Sequence, residues 1–147
     1  MTIYDLAFYV TSYLAVPVWV LMIAFPHARF TKVLLSSVWI VVPFLVPYSL
    51  LILGHLGDVL LFLRPTPDKI LHITSQPYGV VMSWIHFIPL DLFAGRWIYV
   101  DSRRRALNAL VMAPILLACF LTPPLGVLLY ILYASTYGKP LPKTELD

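Results

Sequence analysis

The sequence predicts an all-α integral membrane protein, a bundle of four proline-bent transmembrane helices forming one domain over residues 1–147. Three observations carry that expectation. Of 147 residues, 61% are hydrophobic and 12% are charged, whereas a soluble domain carries about a quarter charged residues. The mean hydropathy is +0.87. The apolar residues gather in four runs, each near or above the roughly 20 residues that a spanning helix requires.

The first run covers 6–25. No lysine or arginine precedes Leu6 and no small-x-small cleavage site follows the run, so a retained helix fits better than a signal peptide. The basic loop Pro26-His27-Ala28-Arg29-Phe30-Thr31-Lys32 separates it from the second run, 33–56, whose apolar character continues through Val59, Leu60, Leu61, Phe62 and Leu63. Arg64-Pro65-Thr66-Pro67-Asp68-Lys69 breaks the pattern with paired prolines and charges. A short amphipathic stretch at 70–73 belongs at an interface. The third run covers 78–100 and ends at Asp101-Ser102-Arg103-Arg104-Arg105. The fourth covers 106–133, before Gly138-Lys139-Pro140.

Four crossings put the first and third loops on one side, with Arg29, Lys32 and the arginines at 103–105. The other side then holds both termini, with Arg64, Lys69, Lys139 and Lys143. The arginine cluster adjoins two runs and marks its side as cytoplasmic or stromal. The net charge of +3 reflects basic residues placed where lipid headgroups lie, and calls for no nucleic-acid partner. The single cysteine, Cys119, is read as a buried small hydrophobe.

Prolines 17, 43, 47, 89, 114, 123 and 124 fall inside the runs. Each removes a backbone donor and bends its helix. Bent helices leave crevices, and an aromatic content of 14% would line them for a long, flat, apolar ligand.

The third run carries ionisable groups in the membrane: His86 near its middle, Asp91 deeper, and Arg96 towards the far interface. Such groups are expensive in a bilayer and mark functional sites. His86 and Asp91 are the candidate acid–base pair. On an ideal helix they stand roughly 140° apart, so direct pairing requires Pro89 to distort the turn. Trp84, Asp91 and Gly95 share one stripe, and His86, Phe93 and Trp97 another. Gly95 offers a place of close approach. Asp101 and Arg105 are spaced for an ion pair on the helix surface. His55 and Asp58 form a further polar patch beside the start of the third run. No metal motif such as HExxH or CxxC is present, nor a phosphate loop or nucleophile elbow. The expectation is therefore no metal and no cofactor.

The run Trp84-Ile85-His86-Phe87, with Asp91-Leu92-Phe93-Ala94-Gly95-Arg96-Trp97-Ile98 and Asp101, resembles the signature of the abscisic-acid-deficient-four-like family. Pro17-x-Trp19, Pro26, Thr31, Thr122-Pro123-Pro124-Leu125-Gly126 and Tyr130 extend the likeness along nearly the whole chain. Members are small membrane proteins linked in plants to formation of neoxanthin from violaxanthin. The resemblance implies a role in xanthophyll metabolism in a bacterial or cyanobacterial inner or thylakoid membrane, or a chloroplast membrane. It carries over His86, Asp91, Arg96 and Asp101 as the motif's polar residues.

Three functions follow. The first is a cofactor-independent carotenoid isomerase or accessory factor, with His86 and Asp91 catalytic and Trp84, Phe93, Gly95, Arg96, Trp97 and Asp101 holding the substrate. The second is a non-catalytic carotenoid-binding subunit that presents pigment to other membrane subunits. The third is a small transporter.

Overall fold

The computed structural model describes residues 2–61 and 63–139. Phe62, Pro140 and Lys143, used above to bound runs and assign sides, lie outside the described residues. Every regular element among the described residues is helical: α1 (Ile3–Ala24), α2 (Arg29–Ser36), a 3-10 turn (Val38–Val41), α3 (Val42–Leu53), α4 (Leu56–Leu61), α5 (Pro67–Thr74), α6 (Pro77–Arg104), α7 (Ala109–Leu121) and α8 (Pro123–Tyr137). Of these, α1 and α6 are each long and apolar enough to cross a membrane, and a third crossing arises if the broken pair 29–53 counts as one.

The chain forms two compact units. One comprises residues 1–15 and 41–90, the other 16–40 and 91–147. The first unit buries Phe44, Ile73 and Ile85; the second buries Met22, Leu35, Leu92, Ile98, Met112, Leu116 and Tyr130. Large apolar side chains such as Tyr13, Trp39, Leu110 and Leu121 stand outside, as expected of a surface solvated by lipid.

The first and third expected spans are α1 and α6. The second departs from a continuous helix, because Ser37 is extended and separates α2 from the 3-10 turn. The amphipathic stretch is α5, begun by Thr66, whose hydroxyl accepts the Lys69 N–H at 3.4 Å; Ile73 is its buried residue.

The expected fourth span, 106–133, is instead a helical hairpin. Thr122 and the pair Pro123-Pro124 end α7 and open α8, because proline lacks the N–H needed to continue α7 and is suited to the first positions of a new helix. The legs lie side by side. Their outer ends meet where the Lys139 N–H donates to the Arg105 carbonyl at 3.3 Å. Legs of 13 and 15 residues are only about 20 Å long each, against a hydrocarbon core of about 30 Å. Lys139 therefore lies beside Arg105, and the four-crossing placement of Lys139 opposite the arginine cluster is corrected.

Candidate functional site

The helix α6 is 28 residues long. It starts at Pro77, which fits a first-turn position, and it runs through Pro89 without interruption. It ends where Ala106 turns to φ 55°. There the Leu107 N–H donates to the Ser102 carbonyl at 2.9 Å and the Ala106 N–H to the Arg103 carbonyl at 3.2 Å, the bond pattern of a left-handed helix stop.

Two of its ionisable side chains, His86 and Asp91, have no hydrogen-bond or ion-pair partner among the described residues. In the first unit, half-buried His86 packs its ring 4.9 Å from Tyr48 and 5.8 Å from Phe87. Among the described residues neither ring nitrogen makes a hydrogen bond. In the second unit, half-buried Asp91 accepts no hydrogen bond and has no ion pair among the described residues. Cys119, a fully buried thiol, lies within electrostatic reach of it. A carboxylate with no compensating donor in an apolar helix is costly, and it is chemically available to take or give a proton.

The other predicted site residues have partners that tie helices together. Within the first unit, the Trp84 indole N–H donates to Ser12 Oγ at 3.0 Å, and its ring lies 5.7 Å from Phe8. Within the second unit, Gly95 lies under the Trp19 ring. Arg96 donates from Nη2 to the Ser36 carbonyl at 2.8 Å and from Nε to the Ser37 carbonyl at 3.2 Å. Its guanidinium thus holds the C-terminal carbonyls of α2, where a cation also meets the negative helix end. Asp101 forms the expected ion pair with Arg105 at 2.7 Å, which pushes the arginine's pKa up from its already high value by hydrogen bonding. Asp101 also accepts the Tyr130 hydroxyl of α8. The Tyr130 ring meets Trp97 edge-on at 5.2 Å. Phe93 is half exposed, with no ring partner among the described residues.

A second polar cluster lies in the first unit, and half of it escaped the sequence reading. Tyr78 donates its hydroxyl to Asp58 Oδ2 at 2.7 Å and stacks on His55 with ring centroids 4.3 Å apart. His55 Nδ1 sits 3.0 Å from the Leu51 carbonyl, and its Nε2 is 3.5 Å from the Tyr4 hydroxyl. His55 and Asp58 were visible as a patch. Tyr4 and Tyr78 were not, although Tyr4 just precedes the first apolar run and Tyr78 opens the third, positions where an amphipathic ring settles. Among the described residues no three His, Cys, Asp or Glu side chains gather in metal-binding geometry.

Comparison with known proteins adds to this geometry. The model of the ABA DEFICIENT 4-like family matches residues 6–130. The protein "ABA DEFICIENT 4, chloroplastic" of Arabidopsis thaliana is 28% identical over 127 residues, covering 76% of this chain and 52% of the relative. The chain thus spans about half the length of the curated relative it matches. No solved structure matches.

Proposed function

The chain belongs to the ABA DEFICIENT 4-like family, and from that membership we propose that it acts on carotenoids inside a membrane, isomerising an epoxycarotenoid such as violaxanthin towards neoxanthin or assisting that step. The carboxylate of Asp91, without a hydrogen-bond or ion-pair partner among the described residues, on a helix long enough to cross the bilayer is the observation that carries this reading. Turning an epoxide into an allenic alcohol is an isomerisation. One proton leaves a vinylic carbon, the epoxide C–O bond opens as the allene forms, and the oxygen gains a proton. The reaction has no net redox change and calls for proton-handling groups. Asp91 is assigned to proton transfer, and His86, whose ring nitrogens make no hydrogen bond among the described residues, is the second such group. Trp84, Gly95, Arg96, Trp97 and Asp101 position the helices around α6, and half-exposed Phe93 offers a ring to a flat apolar ligand.

The proposed setting is a multi-pass arrangement in a photosynthetic or bacterial inner membrane, in line with the chloroplastic relative. In it α1, the broken pair 29–53 and α6 cross, and the α7–α8 hairpin enters without crossing as the fourth segment.

The test is pigment analysis in a host that makes violaxanthin, against an empty-vector control. The expected result is a new isomer that falls at least about a hundredfold with Asp91→Asn, the loss typical of removing a general acid or base. Unchanged pigments, with carotenoid copurifying in fixed proportion, assign the protein to the pigment-binding class instead. The absence of both product and bound pigment rejects the carotenoid reading, and proton flux in proteoliposomes then tests transport.

A further inference from the structure

One end of the second unit is strongly basic, and a cleft opens in it. The Tyr99 hydroxyl donates to the Pro26 carbonyl at 2.7 Å, and the Lys139 N–H meets Arg105. These contacts bring Arg29, Lys32, Arg103, Arg104, Arg105 and Lys139 to the same end. Among the unit's described residues only Asp91 and Asp101 are acidic, and Asp101 is already paired with Arg105.

The cleft measures about 530 Å³ and lies between the C-terminal end of α1 and the start of α7. Its rim carries His27, Arg103 and Asn108. Arg103 is held in place there by donating to the Leu107 carbonyl at 2.9 Å. The walls are apolar: Ile23, Ala24, Leu107, Leu110 and Ala113. Leu110, 82% exposed, continues the wall outwards along α7.

We propose that this cleft binds one anionic phospholipid, with its phosphate against His27 and Arg103 and an acyl chain against Leu110 and Ala113. The charge selects an anion, and the apolar wall selects one that carries a hydrocarbon tail. A free phosphate gains nothing from Leu110 and Ala113, while a zwitterionic lipid brings its own cation to the arginine. This site is separate from Asp91 and holds whether or not a carotenoid is converted.

The full chain in detergent, given equal amounts of phosphatidylglycerol and phosphatidylcholine, tests it by native mass spectrometry of the bound lipid. Phosphatidylglycerol is expected to dominate. His27→Glu, at an exposed position that the fold tolerates, is expected to weaken its binding about fivefold. Ala113→Trp, which fills the wall without changing charge, is expected to reduce binding of both lipids. Equal binding of the two lipids by the unaltered protein, or a preference that survives both substitutions, overturns the proposal. Displacement of phosphatidylglycerol by millimolar inorganic phosphate also overturns it, because the site then recognises an anion without its tail.

Discussion

Gly95 sits one turn beyond Asp91, and its place in the family-like motif has a packing reason. A Cβ there would stand 2.5 Å from the Trp19 ring. Gly95→Ala is therefore expected to lower stability by about 1–3 kcal/mol, the usual cost of overpacking. Trp19→Phe in the same chain, which shrinks the ring, should recover part of it. Thermal unfolding of the single and double variants in detergent measures both. If Gly95→Ala is neutral, the α1–α6 contact is looser than this. Ala106 offers the opposite change. It holds φ 55°, where any side chain is strained, so Ala106→Gly is expected to raise stability by about 0.5–1 kcal/mol in the same assay. A loss of stability there would mean that the helix stop after Arg104 does not take the left-handed form.

The hairpin is built so that its tip tolerates hydrocarbon. A helix start leaves four N–H groups without helical partners. At α8 the first two positions are Pro123 and Pro124, which have none, and the Leu125 and Gly126 N–H groups donate to the Thr122 carbonyl at 3.0 and 3.1 Å. Gly126 also lets α8 come against the Cys119 backbone. Replacing both prolines with alanine restores N–H donors where lipid offers no acceptor. The expected loss is about 1–3 kcal/mol, larger in bilayer nanodiscs than in a wet detergent micelle. Equal losses in the two media would place the tip in water.

Where the hairpin returns decides the topology of the whole molecule. With the Lys139 N–H on the Arg105 carbonyl, the end of α8 lies beside the end of α6, on the face that carries the 26–32 loop. Basic residues then gather at one end of the second unit, and by the positive-inside rule that end is expected to face the cytoplasm or stroma. The check is labelling of His27→Cys and Lys139→Cys in sealed vesicles with a membrane-impermeant thiol reagent; native Cys119 is fully buried. Both positions are expected to react from the same side. Reaction from opposite sides would restore a crossing fourth segment.

Composition and periodicity by themselves determined that the chain is helical and apolar. They placed α1 and α6 to within a few residues and singled out α6 as the helix carrying the ionisable groups. Those features are local: a 20-residue apolar run has few alternatives in lipid, and a charge within it is conspicuous. The Asp101–Arg105 pair was readable for the same reason, since four-residue spacing fixes neighbours on one helix. Tertiary structure alone decided which polar groups are satisfied. Arg96 looks in sequence like Asp91, a charge in an apolar run, yet it finds two carbonyls at the end of α2, some sixty residues earlier, whereas Asp91 finds no partner among the described residues. It also decided that 106–133 folds back. Hydropathy counts apolar residues without regard to direction, and the reversal depends on Thr122, Pro123 and Pro124 ending α7 and on the close approach of Gly126 to Cys119, a contact that exists only once the chain has folded.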